Sequence, residues 1–183
     1  MNICVFGAAR DEIDGEFFAL GEALGEAMGR RGHAMVFGGG AHGLMGAAAR
    51  GCHRTGGRII SVVPWFFDGP GILWEDNAEL IRMDTLAERK AIMMERSQAF
   101  LVLPGGLGTF DEFFEVLTMV NLGLHHKPIA LLECGGYWDT ARALIRDAVD
   151  KGFAAPSALE LFDVFTDPEA CLDWLERRAR HDL

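Results

Sequence analysis

Lysine is scarce in this 183-residue chain: Lys90, Lys127 and Lys151 are the only three. Basic residues number 17 against 27 acidic ones, and the formal net charge is −10. A duplex-binding domain needs a basic stripe to neutralise phosphates, and none is visible, so no nucleic-acid partner is expected. A small anion is a different matter, because a few backbone N–H groups or one arginine can hold it locally. Cysteine is also sparse. Cys4, Cys52, Cys134 and Cys171 form no C-x-x-C pair and no Cys/His cluster with zinc-site spacing. Reduced thiols are expected, with no metal site. Long apolar runs are missing too. The opening MNICVFGAARDE lacks the basic and apolar regions of a signal peptide, and no run approaches the roughly 20 apolar residues that span a bilayer. The expectation is a soluble cytoplasmic protein with no membrane partner.

Half of the residues are hydrophobic, enough for a sizeable core. Short apolar runs fall at 2–6, 34–37, 58–63, 99–103, 128–133 and 163–166, with a weaker one at 79–84. Continuous runs of this kind suit strands buried on both faces. Helical patterns lie between them, at 15–31, 43–56, 85–97, 110–124, 137–151 and 168–180. Asp167 followed by Pro168 is a start signal for the last of these. Strand–helix alternation predicts an α/β fold: a Rossmann-like, doubly wound, mainly parallel sheet of about six or seven strands with helices on both faces. Residues 1–183 read as a single domain without repeats or linkers. The stretch 64–77 breaks the rhythm as a loop bearing Trp65, Phe66, Phe67 and Trp74. These aromatics could stack on a base, plug a dimer interface or pack down on the sheet.

Open parallel sheets bind ligands beyond the carboxyl ends of their strands. Small residues stand at three such ends: GAAR at 7–10, GGGAHGLMG at 38–46 and PGGLGT at 104–109. Glycine removes the Cβ that would block a ligand, and a helix N-terminus beyond it offers free N–H groups to a phosphate. Gly38, Gly40 and Gly43 formally match G-x-G-x-x-G. No acid follows at the distance a dinucleotide site requires, so a Rossmann NAD site is not expected. In PGGLGTFDE, Thr109 and Glu112 form a T-x-x-E pattern, which reads equally as a capping box or as a carboxylate aimed at a ligand. Asp111 projects about 100° from Glu112 around a helix, too far round for the two to serve as a glycosidase pair. Upstream, Glu88, Arg89 and Lys90 follow a strand end, which brings the two cations near the ligand edge. Spacing alone leaves open which of them points inward.

GGGAHGLMG, ERKAIM and PGGLGTFDE, in this order and spacing, resemble the LOG ("lonely guy") family of cytokinin riboside 5′-monophosphate phosphoribohydrolases, often described as lysine decarboxylases. The resemblance runs from the first strand to LGLHHKP at 122–128. It implies hydrolysis of the N-glycosidic bond of a purine nucleoside 5′-monophosphate, without a cofactor, to free base and ribose 5-phosphate. The family's catalytic Arg and Glu fall on Arg89 and Glu112. Its substrate and phosphate contacts fall on Gly39, Gly40, Gly43, Lys90, Gly105, Gly106, Leu107, Gly108 and Thr109. A homodimer is implied as well. The chain departs from the family pattern at Ala8 and Ala9, where serines are usual, at Leu86-Ala87, and at Thr118–Gly123. The competing reading is a non-catalytic nucleotide or molybdenum-cofactor carrier of the same superfamily. A decarboxylase fits less well, because no convincing pyridoxal-phosphate lysine stands out among Lys90, Lys127 and Lys151.

Overall fold

In the computed structural model, which describes residues 1–67, 69 and 71–181, strand β1 (Asn2–Phe6) occupies the middle of a seven-stranded sheet. The other strands are β2 (Ala34–Phe37), β3 (Arg58–Pro64), β4 (Glu79–Met83), β5 (Ala99–Val102), β6 (Ile129–Leu132) and β7 (Phe162–Phe165). Their spatial order is β4-β3-β2-β1-β5-β6-β7, and every pairing is parallel. The chain winds outward from β1 to β4, then returns to lay β5 on the other side of β1, with Ile3 opposite Ala99 and Phe6 opposite Val102. The strand order therefore reverses at β1 and β5, where open α/β sheets form their ligand crevice.

Six helices cover the sheet: α1 (Gly15–Arg30), α2 (Gly43–Arg54), α3 (Leu86–Glu95), α4 (Leu107–Asn121), α5 (Asp139–Asp150) and α6 (Pro168–His181). Successive strand residues point to opposite faces. In β1, Ile3 and Val5 join α1, α2 and α6 in one core cluster, while Cys4 and Phe6 join α3, α4 and α5 in the other. The apolar runs lack alternation because both faces are covered. Among the described residues, no helix is long and apolar enough to cross a membrane.

The predicted strands match the observed ones to within about a residue. One helix shifts in a way that matters: α4 begins at Leu107, three residues before the predicted 110. Its first turn contains Gly108, which reads as loop in sequence. The start of α6 is as expected, with Asp167 Oδ2 accepting the Ala170 N–H at 3.1 Å. In the stretch 64–77, Trp65–Phe67 form a 3₁₀ turn. The loop is tied back by the Trp74 N–H to the Gly39 carbonyl (2.8 Å) and the Ala41 N–H to the Ile72 carbonyl (2.9 Å). Trp74 packs partly on the core, while Trp65 and Phe66 remain more than half exposed.

Helices α1 and α2 approach closely through small residues. A Cβ added at Gly25 would lie 2.0 Å from the Ala48 carbonyl oxygen and 2.7 Å from the Cys52 nitrogen. Both are helix backbone atoms that cannot rotate aside. Gly25→Ala is expected to cost about 3 kcal/mol by overpacking. For a chain of this size that lowers Tm by roughly 6–12 °C. Thermal melting followed by circular dichroism measures this, and an unchanged Tm would contradict the close helix contact.

Candidate active site

A cavity of about 570 Å³ opens at the carboxyl ends of β1, β2 and β5. Its walls come from residues 7–10, from Gly38 and Gly40, and from the loop Pro104–Gly106, with Arg89, Glu112 and Tyr137 facing in. Ile13, Phe17, Leu44, Met45 and Ile72 supply an apolar side.

The loop 104–106 delivers the N-terminus of α4 to this cavity. Gly106 is the N-cap, and no side chain caps the helix. The first intrahelical acceptor is Gly106 itself, whose carbonyl takes the Phe110 N–H at 3.0 Å. The N–H groups of Leu107, Gly108 and Thr109 therefore have no partner within the helix, and the positive end of its dipole faces the cavity. Gly105 is needed for the close fit, since a Cβ there would lie 2.1 Å from Thr109 Oγ1 and 2.9 Å from the Ala8 nitrogen. The Tyr137 hydroxyl donates to the Gly105 carbonyl and braces the loop from the other side.

Helix α2 begins differently. The Gly43 N–H donates to Asp11 Oδ1 at 2.8 Å, and the Met45 N–H to the Ala8 carbonyl at 3.3 Å. Its first-turn donors are partly used by the protein itself, so α4 offers the freer anion site.

Glu112 is the sixth residue of α4, well past the cap, so of the two readings of T-x-x-E at 109–112 the capping box does not form. The carboxylate faces the cavity instead. Burial pushes its pKa up to about 7, with Asp111 and Glu115 adding to the rise and Arg89 and Lys90 opposing it. A capping box does exist one motif earlier. The Thr85 side chain accepts the Glu88 N–H at 3.1 Å, and Glu88 Oε2 accepts the Thr85 N–H at 3.0 Å. Glu88 therefore starts α3 and aims the next residue, Arg89, across the sheet edge.

Arg89 Nε donates to the Val62 carbonyl at 3.2 Å, and its guanidinium lies 5.8 Å from the centre of the Phe67 ring. Burial lowers its pKa and the Glu112 charge resists that. It reaches this place only because position 38 has no side chain: a Cβ on Gly38 would sit 1.4 Å from Arg89 Nη2.

Of the residues expected at the site, Arg89, Glu112, Gly40, Gly105, Gly106, Gly108 and Thr109 line one cavity. Gly39, Gly43, Lys90 and Leu107 lie outside its lining. Gly39 and Gly43 have φ of +76° and +62°, so they serve the backbone path between β2 and α2. The Leu107 side chain is 86% exposed. Lys90 turns to Asp111 and Glu115. Sequence reasoning missed Phe17, Tyr137 and the wall residues of α2. Tyr137 is the chain's single tyrosine and follows two glycines, a faint signal at best.

Fold and cavity together define a doubly wound α/β protein whose ligand crevice pairs an uncapped helix end with a partly buried arginine and carboxylate. A family model described as "Possible lysine decarboxylase" matches residues 45–175. A cytokinin riboside 5′-monophosphate phosphoribohydrolase of Mycobacterium tuberculosis is 41% identical over 159 residues, covering 87% of this chain and 84% of that protein. A probable enzyme of the same name from Oryza sativa subsp. japonica is 38% identical over 157 residues. That match takes in 86% of this chain but 64% of the rice protein, so the chain spans just under two thirds of that relative's length. An Arabidopsis thaliana enzyme of this name is 33% identical over 99% of this chain and 85% of its own. The chain belongs to this family, the LOG family. Among solved structures, the molybdenum cofactor binding protein of Rippkaea orientalis superposes with a TM-score of 0.75 at 18% identity, covering 96% of this chain and 95% of that one. The molybdenum cofactor carrier protein of Chlamydomonas reinhardtii gives 0.74 at 21% identity, with 98% of each chain covered. These likenesses describe the fold.

Proposed function

We propose that this protein hydrolyses the N-glycosidic bond of purine nucleoside 5′-monophosphates. The observation that carries the reading is a single cavity bounded by Arg89, Glu112 and the uncapped start of α4. The relatives named for this reaction support it. The phosphate sits against the N–H groups at Gly106–Thr109, where charge-assisted hydrogen bonds contribute about 1.5–3 kcal/mol each. This remote anchor aligns the sugar. The apolar wall takes the base.

Cleavage breaks the bond between C1′ and the base nitrogen. Positive charge builds on the ribose as the base leaves. Glu112, ionised, faces that charge and takes a proton from water, whose hydroxide adds to C1′. Arg89 steadies the negative charge that gathers on the departing base, which takes a proton from solvent as Glu112 returns its own to solvent. The products are free base and ribose 5-phosphate.

Incubation with AMP and with N6-isopentenyl-AMP, followed by chromatography, tests the reaction. Free base and ribose 5-phosphate are the expected products, and failure to release base from any purine monophosphate refutes the reading. The likeness to molybdenum cofactor carriers favours a second reading, binding without turnover. The Arg89–Glu112 pair weighs against it, since pure binding needs no partly buried carboxylate with a pKa of about 7. Decarboxylation through a pyridoxal-phosphate lysine does not fit these residues. Lys90 and Lys151 are held in ion pairs, Lys127 donates to the Met94 carbonyl, and none of the three lines the cavity.

Residues 1–183 are proposed to act as one cytoplasmic unit and to pair as a homodimer without nucleic acid. The free cysteines, the net charge and the exposed Trp65, Phe66, Leu122 and Leu124 support this arrangement.

A further inference from the structure

Lys90 follows Arg89 on α3 but points to α4. Its ammonium lies 2.8 Å from Asp111 Oδ2 and 2.5 Å from Glu115 Oε2. These two acids bracket Glu112, one position before it and three after. Three carboxylates thus crowd one turn of one helix, and residues three apart share a side. Like charges at this spacing repel and favour the protonated form of whichever is most buried. Glu112 is that one. Among the described residues, Lys90 is the cation paired with both of its neighbours. The Lys90 side chain is 21% exposed, so water screens its charge incompletely.

We propose that Lys90 is a positioning residue for the reaction: it clamps α3 to α4, so that Arg89 and Glu112 stay opposed, and shields Glu112 from the charges of Asp111 and Glu115. This rests on the hydrolase reading for the part Glu112 plays in turnover. The charges around Glu112 come from several elements. Arg89 and Lys90 reach it from α3, and Asp111 and Glu115 from its own helix. The buried Cys4 thiol lies near it on β1, with its pKa pushed well up by burial and by Glu112. Arg10 and Tyr137 line the same cavity. Arg89 and Lys90 keep the carboxylate charged, the two acids work against it, and the protonated thiol carries no charge. Without Lys90, Arg89 alone opposes the two acids.

The test is a carbon NMR titration of the substrate-free protein with 13C-labelled glutamate, with the Glu112 signal assigned by its loss in Glu112→Gln. In Lys90→Met the Glu112 midpoint should rise by roughly one unit. The acid limb of the kcat/KM profile should move with it. Lys90→Arg should restore both. The triple variant Lys90→Met, Asp111→Asn, Glu115→Gln should return the midpoint to the wild-type value or below. An unmoved midpoint in Lys90→Met overturns the proposal, and if KM for AMP rises at the same time, Lys90 is a direct phosphate ligand. The titration uses no substrate, so it stands even if wild-type protein releases no base from any monophosphate.

Discussion

Glu112→Gln should lower kcat for base release by about a hundred- to ten-thousand-fold, the range general for a positioned acid–base group, while AMP binding stays close to wild type. The amide keeps the size of the side chain but can neither take a proton nor face a cation with a full charge. Wild-type kcat/KM should rise as pH passes upward through about 7, the Glu112 value, and the glutamine variant should lose that limb. Stability should move the opposite way. The folded-state pKa of about 7 lies above the unfolded 4.5, so the folded protein holds this proton more tightly. Its stabilising contribution is complete below pH 4.5 and is lost as pH rises through about 7. At pH 8 the wild type carries a partly buried charge that costs about 3 kcal/mol, and glutamine removes it. The variant should melt higher than wild type at pH 8 and at the same temperature near pH 4. Equal activity in the two proteins would remove Glu112 from the chemistry. Equal melting at pH 8 would mean the carboxylate is not buried as described.

A methyl group on Gly38 should be nearly as damaging as deleting Arg89. The added Cβ would stand 1.4 Å from Nη2 and 2.6 Å from Cζ of Arg89, so the guanidinium must leave its place beside Phe67 and the Val62 carbonyl. Position 38 does not have a positive φ, so alanine fits the backbone and the fold survives. The clash falls on the flexible end of a side chain, and the loss is therefore of function. Gly38→Ala should reduce kcat/KM by about a hundred- to a thousand-fold, as for removal of a preorganised charge donor. Arg89→Ala should match it, and the double variant should be little worse than either, because both remove one interaction. Base-release kinetics with circular dichroism as the folding control decide this. Full activity in Gly38→Ala would place Arg89 somewhere else during turnover.

Much of the fold was legible because parallel strands covered on both faces read as unbroken apolar runs. Even β4, whose run ELIRM is interrupted by charge, was visible, since an edge strand tolerates Glu79 and Arg82. The site was harder. The same T-x-x-E pattern occurs at 85–88 and at 109–112, and only the first is a cap. What separates them is where each helix starts, and Gly108 hides that start for α4 because glycine looks like loop. Lys90 beside Arg89 offered two cations in adjacent positions. Neighbours on a helix point about 100° apart, so one faces the cavity and the other must face elsewhere. Which one does so depends on the space left by Gly38, a residue far away in sequence. Tyr137 and Phe17 were invisible for the same reason: their partners lie across the crevice.

The position of β1 between β2 and β5 sets an order of events during synthesis. Residues 2–83 can assemble β1 to β4 as soon as they leave the ribosome. One flank of β1 must then wait, open, until residues 99–102 arrive. That flank presents unpaired backbone groups along a strand of Ile3, Cys4, Val5 and Phe6, an invitation to pair with another chain. The crevice is also unfinished at this stage, because Arg89 is already made while the α4 end that carries Glu112 is not. A chain cut between residues 90 and 98 should therefore expose a sticky half-sheet, and the return crossing to β5 closes that edge before α4 brings Glu112 to the cavity that Arg89 lines.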